Sequence, residues 1–401
     1  MRQRVMIKVG APLVLGALAL AGCGSSSSGT KSGSGSSSAA GGGGKTFTIA
    51  CQGPLTGDNA QLGINICDGA KLAIDQANKT GGLPFTLKYN AVDDLGTAAG
   101  GPVAAQKIIG DSSVMAVVGP AFSGATQASE SFFTQANLAS ITASATKPSL
   151  TDAKNGFKTF FRAVANDNAQ GNGAAAYIAA KLKAKKVYSI DDAEAYGQGL
   201  SKVFEAALQS KNIPFVHDSV PQGTKQYEPA AGKVVQSGAD VVYYSGYYAD
   251  AGPLLKALKA GGFKGTFMSD DGAKDPNLIK LAGTANAEGT FLTCPCVDAA
   301  QNPSSASFVS AYKAAFNADP GTYSAEAYDA ANAVISAMKG IGASVDRAKV
   351  VDAVRNLDYT GITKTIKFQS SGELASTAVY LYEVKNGAIT YLGPVDKLAT
   401  S

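Results

Sequence analysis

The sequence predicts an α/β protein made of two doubly wound parallel-sheet lobes joined by a hinge. Strand-like and helix-like segments alternate from Lys45 onward, and the alternation restarts after about Arg162. Regular alternation of this kind argues for βαβ units and parallel strands. A third observation is the close of the chain, where a run of helices returns before a short hairpin.

In the first half, Thr46–Cys51 is a short β-rich run and Leu62–Asn78 places apolar residues at helical spacing. Phe85–Val92 reads as a strand, Val103–Ile109 as a helix, and Val114–Val118 as a buried strand followed by a helix from about Ser123. In the second half, helices are expected over Ala169–Leu182, Gln198–Gln209, Ala230–Gln236 and Ala251–Ala260. Strands are expected over Lys186–Ile190, Pro214–Val220, Asp240–Tyr244, Gly265–Met268 and Glu288–Leu292. The return segment carries helices near Ser304–Phe316, Ser324–Lys339 and Ala348–Asn356. Ala378–Glu383 and Thr390–Leu392 then form a hairpin turning at Asn386-Gly387. Doubly wound sheets bind ligands outside the C-terminal ends of their strands, and clefts between domains are favoured sites.

The first 44 residues stand apart. Arg2, Arg4 and Lys8 precede an apolar stretch, Val9–Ala19, that is short for a membrane span and ends in Leu20-Ala21-Gly22-Cys23. Small residues before a cysteine resemble the lipobox of bacterial lipoproteins, in which the chain is cut before the cysteine and its thiol is acylated. Residues 1–22 are therefore set aside as a signal peptide. Cys23 is expected to anchor the chain to the membrane by a lipid, and the Gly/Ser-rich residues up to 44 to act as a tether. The rest is expected to be extracytoplasmic.

Composition narrows the function. Of 401 residues, 45% are hydrophobic and 16% charged, ample for packed cores. The net charge of +4 owes much to the N-terminus, and no basic stripe with interleaved aromatics follows, which argues against nucleic acid. The single histidine, His217, sits in a strand-like run and reads as structural or surface, which removes most histidine catalysis and metal binding. There is no phosphate-binding loop and no G-x-S-x-G elbow around Ser123, so the chain is not expected to be an enzyme. Beyond Cys23, Cys51, Cys67, Cys294 and Cys296 are disulfide candidates in an oxidising compartment. Cys51 ends a strand and Cys67 lies in the first turns of the next helix, so the two can meet. Cys294 and Cys296 pair only through a strained small ring, and spacing for a metal knuckle is absent.

Several segments in this order carry a resemblance. They are Gly53-Pro54-Leu55-Thr56-Gly57, Gln61-Leu62-Gly63, Val118–Thr126, Ile141–Thr146 with Lys147-Pro148, Tyr196-Gly197-Gln198-Gly199, Asp240–Tyr248, and Phe267–Gly272. From Thr46 to about Leu392 the chain resembles the leucine/isoleucine/valine-binding family of type I periplasmic binding proteins. The resemblance implies an N-terminal lobe of 45–163 plus 296–368 and a C-terminal lobe of 164–295 plus 369–398. It implies an amino-acid ligand, an ABC transporter permease as partner, a monomer, and neither cofactor nor metal.

A zwitterion needs opposite recognitions in one dry cleft. Ser123 opens a helix whose first N–H groups lack intrahelical partners and favour an anion. The resemblance gives Thr146 a carboxylate contact, Ser144 a carbonyl facing the ammonium, and Asp271 the acid that pairs with the ammonium. Phe122, Tyr196 and Tyr247 would wall the side chain, with Leu62 where the family commonly has an aromatic residue. Plainer readings stand beside these. Ser123 also suits an N-cap, Thr146 a bond within its own loop, Asp271 a solvated turn, and Tyr196 packing against Gly197. At least one of Tyr243 and Tyr244 is expected in the core. Alternatives to amino-acid uptake are a urea, short-amide or aromatic-acid ligand, or an exported ligand sensor on the same fold.

Overall fold

The computed structural model describes residues 44–400. The expected signal peptide, Cys23 and nearly all of the tether lie outside the described residues.

The first half runs Thr46–Gly53 (β1), Ala60–Thr80 (α1), Thr86–Asp93 (β2), Gly100–Gly110 (α2), Val114–Val118 (β3), Ser123–Gln135 (α3), Ala139–Thr142 (β4) and Phe160–Arg162 (β5). Its strands form one parallel sheet in the order β2-β1-β3-β4-β5. Every residue of β3 is buried, as expected of a central strand covered by helices on both faces. Helix α1 buries Leu62, Ile66, Ala70 and Ala73, one stripe at helical spacing.

The second half begins with Asp167–Tyr177 (α4), which continues as a π-turn over Ile178–Leu182. It proceeds through Val187–Asp191 (β6), Ala195–Ser210 (α5), Phe215–Ser219 (β7), Glu228–Ser237 (α6), Val241–Ser245 (β8), Tyr248–Ala260 (α7), Thr266–Ser269 (β9), Pro276–Ala282 (α8), Thr284–Ala287 (α9) and Phe291–Cys294 (β10). The return segment contributes Ala306–Phe316 (α10), Ser324–Ile341 (α11) and Arg347–Arg355 (α12), with Asp358–Thr360 (β11) and Thr365–Lys367 (β12) paired as a small ribbon. Helices α10 and α11 pack against α1, and α12 against β3 and β4. Tyr380–Lys385 (β13), Ala388–Pro394 (β14) and Val395–Thr400 (α13) close the chain. The second sheet has the order β14-β13-β10-β9-β8-β6-β7, parallel from β10 to β7 and antiparallel at β13 and β14. The closing hairpin turns at Asn386 and Gly387, whose φ angles of 53° and 74° are the left-handed values its two-residue turn demands.

The two sheets define two lobes, linked at 163–166, between β10 and α10, and between β12 and β13. A buried ion pair ties two of these passages together. Arg162 Nε and Nη2 donate to the two oxygens of Glu373 at 2.9 and 2.7 Å. Arg162 Nη1 also donates to the carbonyls of Ala145 and Lys147, so the pair grips the loop after β4.

The structure departs from the sequence reading in places. Ala139–Thr142, where the sequence pattern predicts no element, is strand β4, and Phe160–Arg162 adds β5. Helix α7 starts at Tyr248 rather than Ala251, because Tyr247 in extended conformation serves as its N-cap residue. The strand expected from Glu288 begins at Phe291, since Gly289 (φ 74°) sits in a left-handed turn after α9. Disulfides join Cys51 to Cys67 across β1 and α1 (Cα–Cα 5.6 Å), and Cys294 to Cys296 where the chain leaves the second sheet (Cα–Cα 5.0 Å).

Candidate functional site: the cleft between the lobes

Loops that follow the C-terminal ends of β3, β4, β6, β8 and β9 converge on one cleft. A pocket with about 270 Å³ of free space, partly open to solvent, lies there. Leu62, Phe122, Ser123 and Ser144 line it from the first lobe, and Tyr196, Tyr247 and Asp271 from the second. Thr146 is not among the lining residues. It is fully buried, and its Oγ1 has no hydrogen-bond partner. Ala121, Ile66, Gly272 and Tyr323 complete the wall and were not singled out from the sequence.

The first lobe offers donors. Phe122, extended, holds the N-cap position of α3, so Ser123 is the first helical residue and not the cap. The Lys147 N–H donates to Ser123 Oγ at 3.2 Å, which leaves the hydroxyl proton to be donated elsewhere. With the N–H groups of the first helical turn, which lack intrahelical partners, and the positive end of the helix dipole, this corner suits an anion. The Ser144 hydroxyl donates to the Ala121 carbonyl at 2.6 Å and so braces the neighbouring loop.

The second lobe offers an acid. Asp271 is 3% exposed, which excludes the solvated-turn reading. Gln170 Nε2 (2.5 Å) and the Tyr196 hydroxyl (2.6 Å) donate to its Oδ1, and the Tyr323 hydroxyl (2.7 Å) donates to its Oδ2. Burial raises the proton affinity of Asp271, and the three donors pull it back part of the way. Tyr196 therefore does more than pack against Gly197. Tyr323 precedes α11, on the first lobe, so its bond to Asp271 crosses the cleft. It holds φ 69°, a left-handed conformation that costs a bulky residue energy and here aims the ring into the site. Asp270 is structural: its carboxylate accepts from the N–H groups of Gly246 (2.9 Å) and Ala273 (3.2 Å) and so shapes the loop. Burial, reinforced by the neighbouring Asp271 charge, raises its proton affinity well above the ordinary range.

Aromatic rings fill the remaining wall. Phe122 stacks on Tyr247 across the cleft, with ring centres 4.1 Å apart and planes at 22°. Tyr196 lies 5.3 Å from Tyr247. Gly272 lets them close up, because a Cβ there would sit 3.0 Å from both tyrosine rings and 2.6 Å from the Gly246 carbonyl oxygen. Tyr243 and Tyr244 are both fully buried in the core behind, Tyr243 stacked on Phe204. His217 is half-exposed and bonds Glu205 at 2.7 Å, remote from the pocket lining.

A fold of two α/β lobes, with facing loops that meet around a polar and aromatic pocket, defines a two-lobed binding protein. The chain belongs to the periplasmic binding protein family, which matches it over residues 46–388. It is 31% identical to "Leu/Ile/Val-binding protein homolog 3" of Brucella melitensis biotype 1, over 86% of this chain and 93% of that protein. It is 30% identical to the "leucine-, isoleucine-, valine-, threonine-, and alanine-binding protein" of Pseudomonas aeruginosa, over 84% of this chain and 90% of the relative. Its structure is similar to that of a branched-chain amino acid transporter substrate binding protein from Streptococcus pneumoniae in complex with isoleucine. There the TM-score is 0.79 and the identity 26%, over 87% of this chain and all of the other.

Proposed function

We propose that this protein is the extracytoplasmic solute-binding component of an ABC importer and carries an amino acid between its lobes to a membrane permease. One observation carries the reading: a buried carboxylate, Asp271, faces the same pocket as the donor-rich start of α3 at Ser123. A zwitterion matches both sides, and its charges would tie one lobe to the other. The names of the relatives support the same ligand class. The stacked Phe122 and Tyr247 rings leave no gap for a ligand group between them, so compact aliphatic side chains are favoured over long ones. Lobes of 45–163 plus 296–368 and 164–295 plus 369–398, and a lipid anchor on Cys23, complete the proposal. Among the described residues no helix is long and apolar enough to cross a membrane.

The test is a thermal-shift screen of the purified protein against the common amino acids, urea, small amides and benzoate. A ligand that binds only the folded state raises its melting temperature. Stabilisation by alanine, valine or another aliphatic amino acid is expected. Stabilisation by urea or benzoate alone would reject the amino-acid reading.

A further inference from the structure

The two ends of the second sheet are chemically unlike. Its parallel strands β10, β9, β8, β6 and β7 run towards the cleft, so the residues that precede them gather at the far end of the lobe. There Lys185 precedes β6, Lys211 precedes β7 and Lys264 precedes β9. Lys385 reaches the same end from the antiparallel β13, beside the turn of the closing hairpin. Lys181 and Lys183 lie where the π-turn after α4 gives way to the link into β6. All six are exposed. From β13 to β7 the row crosses the sheet over about 24 Å at the usual strand spacing.

These lysines lack counter-ions. None of the six side chains is held by an ion pair among the described residues. The acids of this edge are spent on the backbone: Asp240 accepts from the N–H groups of Lys185 (2.9 Å) and Lys186 (3.0 Å), and Glu288 from those of Asn386 (2.8 Å) and Gly387 (3.3 Å). Burial first, and then the Lys264 charge, lower the proton affinity of the neighbouring Lys259. Lys183 holds φ 50°, a left-handed conformation at a helix end that glycine fills without cost. Attraction to a helix C-terminus accounts for Lys181 and Lys211, but not for Lys385 on a strand. Nor does the chain as a whole supply a surplus. Beyond the first 43 residues basic and acidic side chains are equal in number, so the row is one pole of a segregated charge distribution. Buried Asp270 and Asp271 lie at the cleft end of the same lobe. The matching edge of the first sheet mixes signs, with Asp111 before β3, Lys45 before β1 and Lys158 before β5.

We propose that the outer end of the second lobe is a docking surface for an anionic membrane, on which the lysine row rests against the phosphate headgroups of acidic lipids. Charge complementarity selects an anionic partner, and clusters of this size suit an acidic lipid surface. The acyl anchor expected on Cys23, followed by its Gly/Ser-rich segment, keeps a membrane at high local concentration. An acyl chain and a polybasic patch are membrane signals that reinforce each other. Because the pocket lies at the opposite ends of the same strands, a molecule docked in this way turns its cleft away from the membrane. The dock is thus a posture for capture, released before the cleft can face a permease. The inference rests on the anchored placement proposed above and is indifferent to which solute is carried.

The test places the full chain on vesicles of phosphatidylcholine, with and without phosphatidylglycerol, and reads the rate at which an amine-reactive reagent labels each lysine. At low salt the six lysines are expected to be shielded several-fold on the anionic vesicles only, with Lys71 and Lys313 of the first lobe unchanged. High salt should abolish the shielding, because it screens exposed charges. The triple variant Lys185→Glu, Lys264→Glu, Lys385→Glu is expected to melt as the parent does and to lose the shielding of Lys181, Lys183 and Lys211. Should it melt lower, the variant with glutamine at the same three positions carries the same expectation. Equal labelling on the two kinds of vesicle, or shielding that both variants keep, would overturn the proposal. Binding of soluble polyphosphate without shielding on anionic vesicles would overturn it too. A chain that does not stay on neutral vesicles refutes the lipid anchor, whereas its capture by anionic vesicles, lost in the triple variant, would still support the dock.

Discussion

Replacing Asp271 by Asn keeps the shape of the side chain and removes its charge, and the consequences for ligand and for fold should diverge. Three donors converge on the carboxylate, from Gln170, Tyr196 and Tyr323, at 2.5, 2.6 and 2.7 Å. An amide has one acceptor oxygen left and turns N–H bonds towards a donor, so at least one of the three contacts is lost, at about 1 kcal/mol. Against that loss, the substitution ends the repulsion between Asp271 and its buried neighbours Asp270 and Asp167. The empty protein is therefore expected to change little in stability. A ligand ammonium loses a charge-assisted hydrogen bond worth about 1.5–3 kcal/mol, which weakens binding by about 10- to 150-fold. Titration calorimetry with alanine or valine measures the affinity, and thermal melting of the empty variant checks the fold. An affinity within threefold of the parent, in a variant that melts normally, would remove Asp271 from the binding site.

Three further outcomes follow from the same packing. Burial pushes Glu130 and Asp167 up to about 8, Asp192 to about 7 and Asp94 to about 6. Between the ordinary carboxylate range near pH 4 and those values the folded state holds more protons than the unfolded chain, so stability falls as pH rises. The empty protein should thus melt higher at pH 5 than at pH 8, and the opposite trend would refute the burial argument; Asp93 and Glu373, shifted downward, lose their contributions only below that window. Glu373→Ala leaves the fully buried Arg162 without its counter-ion and should cost about 3–5 kcal/mol in denaturant unfolding, whereas a loss below about 1 kcal/mol would show that the carbonyls around Arg162 suffice. Phe122→Ala removes a stacking contact worth about 0.5–1.5 kcal/mol and opens the side-chain end of the pocket. The leucine-to-alanine affinity ratio should then rise by about 1 kcal/mol or more, since each methylene accommodated in an apolar pocket is worth about 1–3 kcal/mol, and an unchanged ratio would clear Phe122 of any part in size selection.

The alternation of strand and helix was readable because the central strands are apolar throughout and α1 keeps a clean apolar stripe. Strands β4 and β5, of four and three residues, are too short to show a period. The loops around Ser123, Tyr196, Tyr247 and Asp271 were legible as strand–loop–helix junctions. The roles of their side chains were less so: Ser123 accepts a loop N–H rather than capping its helix, and Thr146 is buried beside Asp167 and does not line the pocket. Tyr323 was invisible because it reaches the cleft from the return segment, in a left-handed conformation that no local pattern announces. Gln170 sits on a helix expected from its apolar residues, and nothing in helical periodicity marks a buried amide on that face.

The lobes meet through direct contacts across the cleft. Besides the ring stack and the Tyr323–Asp271 bond, the Gln61 N–H donates to the Tyr248 hydroxyl and the Ala249 N–H to Asn59 Oδ1, each at 3.3 Å. These contacts favour closure, while the buried Asp167, Asp270 and Asp271 oppose it, since desolvated acids without a counter-ion are costly. A ligand shifts such an equilibrium only by its differential affinity for the two states. On the proposed amino-acid reading, the ligand's ammonium would supply that difference in the closed form by offsetting the repulsion around Asp271. A neutral molecule of the same size fills the pocket without relieving the acids. On this argument the charge of the ligand governs closure and its bulk governs fit, so substitutions among the acids and those at Phe122 should act on different terms of the affinity and combine additively.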